Sequence, residues 1–499
     1  MRKYSYFILA SLGMILFSCS DALEIDQKGR LTEAAAFETI DDLQSGLLGT
    51  YGALDTSGEI QFNAVFTDEV SIGFDNGGQG LGDGSWAFIL NNTSAAPNVF
   101  WSGFYGALNN VNILIEAANN YEIQEGEQAQ FNNILGQALA IRAAVHHLVM
   151  TYYSPDLTDD SALAGILLDY VPTPSDQPLR NTNGEFYALI ESDLSRAANL
   201  ITEDQGNTFI NDDFVTALRA RVAAYKEDYM TAGPLAQSLL NKYPIADRAQ
   251  YEAMFLDTDE TENIFKLERT IGDNFDGQGA TGSAVASGWA GANFAFVDAT
   301  LDGSPYFEMS RVIFNLLDED DIRYTVNVAP SSIIDEDYQN SENALQTDRL
   351  VIQKYVGSEN QPLMNDLKVF RSSEMLFILA EASAQNNNLI GAAQRIKELR
   401  DARFGTDQEL PNYANQQEAF AGILAERQIE LAYEGHRYKD IKRLGVKAGV
   451  GVQRDPVDCS INGACALAPD DFRFTMPIPR IEIAGNPEIA TQQNPGYEN

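Results

Sequence analysis

The stretch from Lys368 to Arg403, KVFRSSEMLFILAEASAQNNNLIGAAQRIKELRDAR, constrains the fold more than any other. Val369, Phe370, Leu376, Leu379 and Ala382 recur at helical spacing on its first half, and Leu389, Ala393, Ile396 and Leu399 do so on its second. The polar QNNN between them continues neither stripe, so the segment reads as two helices joined by a short turn. Alanines at 380, 382, 384, 392 and 393 let two such helices approach closely, as in helix-pair repeats that stack into a continuous core. Helical pattern recurs over 184–201 and again over 213–244, where Tyr225 and Tyr229 are wedges and Pro244 closes a second hairpin. The expected fold is mainly α, a tetratricopeptide-like scaffold of helix pairs with an irregular loop-rich subdomain and few short strands.

Upstream, residues 39–54 read as a helix, and two long helices are expected around 100–119 and 127–152. Residues 55–97 read as loop-rich because GFDNGGQGLGDGSW contains glycines that no helix tolerates so densely. Between 251 and 361 periodicity fades and Gly, Asn and Asp become frequent, with strands expected at 263–269 and 349–356. The aromatic residues of this insert suggest a small satellite core or a stacking surface.

The N-terminus adds a second constraint. Arg2 and Lys3 precede a short apolar run that ends at Ser18 and Cys19, too brief for a comfortable membrane span and consistent with an export signal over residues 1–18. Leu16-Phe17-Ser18-Cys19 resembles a bacterial lipobox, which implies cleavage before Cys19 and lipidation of that cysteine. The acidic run at Asp21, Glu24 and Asp26 resembles the surface-export signal of Bacteroidetes lipoproteins. Cys459 and Cys465 frame a short loop, and in an oxidising compartment a loop-closing disulfide is the simplest reading of the pair.

A formal net charge of −39 argues against nucleic acid as a partner, and by its mean field it tilts any sugar ligand toward neutral glycans. No G-x-S-x-G, H-E-x-x-H, P-loop or dinucleotide fingerprint is present, so no catalytic residue is assigned and no enzymatic activity is expected. No cofactor or metal is expected either, although structural calcium stays open at the acidic runs 257–263 and 318–321, neither of which has the glycine of an EF-hand loop. His146 and His147 are adjacent on a helix and point to different faces, which disfavours a metal pair.

Three C-terminal stretches resemble the SusD/RagB family of surface lipoproteins. They are Arg371-x-x-Glu374-x-Leu376 with its following hairpin, the run 423–445 containing Glu426, Arg427, Glu430, Glu434, Gly435, Arg437, Asp440 and Arg443, and the tail 476–497 with Pro477-Ile478-Pro479 and Gln493-Asn494-Pro495-Gly496-Tyr497. Glu426, Glu430 and Glu434 share one helical face by their spacing, and such charges in an apolar helix read as a paired lock between packed helices rather than as catalytic acids. The resemblance divides the chain into a signal peptide (1–18), an N-terminal helical region (19–250), a loop-rich insert (251–361) and a C-terminal helical region with its tail (362–499). It implies an outer-membrane lipoprotein, anchored through its lipidated N-terminus and facing the cell exterior, that captures oligosaccharides for a SusC-like TonB-dependent transporter. Peptide capture, as in RagB-type members, is the nearest alternative, and a surface glycoside hydrolase or a purely adhesive lipoprotein is more distant.

Ligand residues are expected on the loops. Trp289 and Trp86 each read either as a stacking platform for a sugar ring or as a core residue, and Phe74, Asp75, Asn76, Phe294 and Tyr306 are further candidates. Trp101 begins a helix and reads as structural.

Overall fold

The computed structural model describes residues 37–74, 76–78, 84–173, 175–270, 289–294, 307–461 and 463–498. Thr39 starts the first helix, α1 (Ile40–Thr50), through a capping box in which its hydroxyl accepts from the Asp42 N–H while the Asp42 carboxylate accepts from the Thr39 N–H. A second helix, α2 (Ser57–Phe66), occupies part of the segment expected to be loop-rich. Its sequence hid it because eight of its ten residues are buried, so it shows no polar stripe.

The long pair α3 (Ala95–Asn120) and α4 (Gln128–Tyr153) follows, then α5 (Asn183–Leu200) behind its own capping box at Thr182. By length and composition α4 could cross a membrane, but 94% of its apolar window is buried inside the body, which makes it the central helix. Asn211 and Asp228 cap α6 (Asp212–Tyr225) and α7 (Tyr229–Lys242), the expected hairpin, and α8 (Arg248–Phe255) follows. Among the described residues the insert contributes short helices, including α9 (Arg311–Leu316) and α10 (Ile322–Asn327). The expected C-terminal hairpin is α11 (Ser372–Gln385) with α12 (Leu389–Phe404), and α13 (Gln416–Glu430) and α14 (Arg437–Ala448) add a further pair. Helix α7 packs on α11, so the two hairpins stack although the insert separates them in sequence.

Among the described residues there are four small antiparallel ladders, two of which tie the insert to this scaffold. β1 (Val70–Ile72) pairs with β3 (Phe307–Met309), and β2 (Asn263–Leu267) with β6 (Leu367–Arg371). The two-residue strands β4 (Gly357–Ser358) and β5 (Gln361–Pro362) form one hairpin, and β7 (Val452–Gln453) and β8 (Ala466–Leu467) another. The strand expected at 349–356 is reduced to isolated bridges, Arg349 with Ile333 and Ile352 with Val328. Phe294 and Phe307 of the insert join the main core rather than a satellite.

The charged C-terminal motif folds into a buried network. Glu430 accepts from Arg371 at 3.0 Å and from Arg403 at 2.8 Å, and both arginines also reach Glu262, at 3.0 and 2.6 Å. Glu426 is paired with Arg323 and Arg400, each at 2.6 Å. Glu434 is not on the helical face its spacing suggested, because α13 ends at Glu430 and the chain turns through Tyr433 (φ 63°) and Gly435 (φ 77°). It still enters the network, taking Arg371 at 2.8 Å and Lys354 at 2.6 Å. Burial alone would push the Glu430 carboxyl up, but Arg403 and Arg371 outweigh it and hold the group below the usual carboxylate range.

The end of α4 is a second junction. Its last carbonyls, which no helical N–H can reach, are taken by distant groups. Lys442 donates to Thr151 and Ser154 at 2.7 Å each, the Met476 N–H to Tyr152 at 2.8 Å, and Arg180 and Asn494 to Tyr153 at 2.8 and 2.9 Å.

Candidate functional site

The glycine-rich stretch after β1 and the insert segment before β3 leave the scaffold beside one another. The β1–β3 ladder sets Ser71 opposite Glu308 and Ile72 opposite Phe307, so the chain leaving β1 toward residue 74 adjoins the chain entering β3 at residue 307. Phe74 seals this edge, its N–H donating to Glu308 Oε1 at 2.6 Å while the Arg349 guanidinium lies 3.8 Å from its ring centre. Burial pushes the Glu308 carboxyl up to about 7, against the N–H bonds from Phe74 and Leu350 that favour its charge.

Beside the ladder lies a cleft of ≈520 Å³, lined in part by Glu308, Arg311, Glu342, Asp348, Asp458 and Ile461. Arg311 pairs with Asp348, and its main-chain N–H donates to Asp458 at 2.9 Å. Burial raises the Asp458 carboxyl to about 7. Cys459 and Cys465 are bonded to each other, which closes the loop at the rim of this cleft. Polar groups of this kind, gathered around a concave surface, suit a ligand rich in hydroxyls.

The sequence-named aromatics divide sharply. Trp289 is half-buried at the near end of the second loop, resting on the core while its indole N–H donates to the Thr270 carbonyl at 3.4 Å. Trp86 is a core residue instead, 2% exposed, with the Arg454 guanidinium 4.0 Å from its ring. Arg454 is held there by the carbonyls of Val65, Thr67 and Ala464, at 2.9, 2.8 and 2.9 Å, so the indole is capped and presents no face to solvent. Phe294 is likewise fully buried, edge-on to Tyr433 with ring centres 5.4 Å apart. Asn76 is 2% exposed and accepts the Gly78 N–H at 2.9 Å, so it shapes the loop root rather than offering an amide to a ligand. Trp101 is buried, its indole N–H on Glu482 at 3.0 Å. Asp75, Tyr306 and the proposed lipidation site Cys19 lie outside the described residues.

Sequence reasoning missed Glu308 and Arg349. Neither lies in a motif, and what makes them notable is their common approach to Phe74, a contact across more than two hundred positions for Glu308. Among the described residues no group of three or more His, Cys, Asp or Glu side chains is placed to hold a metal ion. The acidic run 257–263 is engaged internally, Asp257 with Lys368, Glu260 with Lys266 and Glu262 with two arginines. Burial pushes both His146 and His147 down to about 3, and the His146 ring bonds the Arg142 carbonyl at 3.0 Å.

Comparison with known proteins finds the same architecture elsewhere. Residues 224–497 match the model of the SusD family, and residues 64–225 match one described as starch-binding, associating with the outer membrane. The chain is 24% identical to the SusD-like protein P2 of Formosa agariphila, over 100% of both chains. A SusD superfamily protein from Bacteroides thetaiotaomicron superimposes with a TM-score of 0.74 at 22% identity, over 92% of this chain and 100% of that one. A protein from Bacteroides vulgatus described as a putative sugar binding protein does so with a TM-score of 0.72 at 21% identity, over 93% and 99%.

Proposed function

Because the chain belongs to the SusD family, with residues 224–497 carrying the match, we propose that it binds oligosaccharides at the outer membrane and passes them, chemically unchanged, to a SusC-like TonB-dependent transporter. The observation that carries this reading is the meeting, at the β1–β3 edge, of the chain leaving β1 at Phe74 with the chain entering β3 at Phe307, beside the polar cleft, while half-buried Trp289 offers an aromatic ring elsewhere in the insert. Aromatic faces stack on the apolar faces of sugar rings, and neighbouring polar groups bond the hydroxyls. The arginines and glutamates of the C-terminal motif are engaged in pairing with one another, which favours capture over chemistry. The lipobox-like Cys19 supports a lipid-anchored protein held at the cell exterior.

The test is calorimetric titration of the whole chain with a panel of oligosaccharides and a peptide pool, with the sugars analysed after incubation. Saturable binding of an unaltered sugar, weakened about tenfold in a folded Trp289→Ala variant, is the expected result, since stacked rings contribute on that scale. Peptide binding without sugar binding would change the cargo, and cleaved sugar would replace capture with hydrolysis.

A further inference from the structure

Most of the buried arginines among the described residues end on acceptors that use their terminal amino groups. Arg142, Arg221, Arg269, Arg311, Arg371 and Arg437 each reach a carboxylate, and Arg180 and Arg454 reach main-chain carbonyls. Arg349 is placed differently. Its N–H and carbonyl exchange hydrogen bonds with Ile333, both at 2.8 Å, and the next carbonyl, that of Leu350, accepts from Met309 of β3 at 2.8 Å. The backbone is therefore fixed on both sides, next to the loop roots. Alternation along this extended segment turns Asp348 and Leu350 toward the cleft and leaves Arg349 on the side of Phe74.

The guanidinium is fixed as well, resting 3.8 Å from the Phe74 ring centre with its Nε donating to the Gln346 carbonyl at 3.3 Å. Its two terminal amino groups make no hydrogen bond or ion pair with another described residue. The neighbouring acid, Glu308, has Oε1 occupied by the Phe74 N–H. A planar fork whose rotamer is already set, with donors left over, is the arrangement that recognises carboxylate and sulfate groups.

We infer that Arg349 selects for an anionic sugar: the oligosaccharide taken at this edge carries a carboxylate or a sulfate ester that accepts from the free N–H groups of Arg349. This rests on the sugar-binding reading above and narrows it, and it reverses the tilt toward neutral glycans that the net charge of −39 suggested. The mean field is a poor guide here, because at physiological ionic strength charges are screened over about 8 Å, so the cation in contact outweighs the distant carboxylates. A chain so acidic overall also holds few places where an anion can settle, which sharpens the choice.

Calorimetry of the whole chain with galacto-oligosaccharides of one length in three forms, neutral, galacturonate-containing and sulfated, tests the inference. One of the charged forms is expected to bind at least about tenfold more tightly than the neutral form, with affinity that falls as salt is raised. Arg349→Gln should remove that preference with an unchanged thermal midpoint, and Arg349→Lys should restore part of it. The two charged arms tell a carboxylate from a sulfate. Equal or tighter binding of the neutral sugar, or a charge preference that survives Arg349→Gln, overturns the inference and leaves the sugar-binding reading standing. Failure of all three sugars to bind overturns both.

Discussion

Arg371 and Arg349 lie 22 positions apart and do opposite work with the same side chain. Arg371 is enclosed by Glu262, Glu430 and Glu434, with no donor left over. Arg349 rests against the Phe74 ring at the edge of the scaffold near Glu308, with its terminal amino groups bonded to no described residue. The contrast is one of completeness. A charged group whose every valence is met inside the fold specifies packing, whereas one that is positioned but unfinished is ready for a ligand. Charged motifs in the sequence therefore marked the scaffold, and the contact proposed at Arg349 lies among residues without a motif.

The largest test of that contrast is to remove each arginine in turn. Arg371→Ala strands buried carboxylates and should lower stability by about 3–5 kcal/mol in urea denaturation, whereas Arg349→Ala should change it by less than about 1 kcal/mol. Comparable losses at the two positions would erase the distinction between lock and edge.

Trp86→Ala follows in size. It opens a cavity under Arg454 and should cost about 3 kcal/mol while leaving sugar affinity per folded molecule intact. A selective loss of affinity at unchanged stability would return Trp86 to the binding surface.

The smallest effect lies in the pH dependence of stability, where the two regions should move oppositely. Folding favours the protonated form of Glu308, whose carboxyl burial raises from 4.5 to about 7, so the native state holds more protons than the unfolded chain between those values. Its contribution is complete below about pH 4.5 and is lost as pH rises toward 7. Glu430, Glu434 and Asp440 are held low instead, so the stability they confer is present above the ordinary carboxylate range and fails in acid as pH drops toward their lowered values. Glu308→Gln should therefore flatten the slope between pH 4.5 and 7 by up to about 2 kcal/mol and leave the acid limb in place, as followed by urea midpoints across pH.

The scaffold was legible because its signals are local. Apolar period announced α6, α7, α11 and α12, and the alanines marked where they touch, but Val369 and Phe370, read as part of the first helix of the C-terminal hairpin, belong to β6, and the helix begins only at Ser372. Helix α2 escaped because burial on nearly every side removes the polar face that would announce a period. Glu434 was placed one turn too far along α13, although Gly435 is the ordinary sign of a helix already ended. Trp86, which the sequence left open between stacking and core, was undecided for a different reason. Flanking glycines suggested exposure, but its environment is decided by Arg454, 368 positions away, which no local pattern encodes. Arg349 and Phe74 form their pair in the same non-local way.

The junction at the end of α4 has a consequence in time. Along the chain, Arg180 comes 27 positions after Tyr153 and can reach its carbonyl, whereas the second donor to that carbonyl, Asn494, comes 341 positions later. Lys442 and Met476 arrive only shortly before it. The end of the central helix is therefore filled in stages, by Arg180 early and by Lys442, Met476 and Asn494 late. One helix end thus joins segments that the sequence keeps hundreds of positions apart.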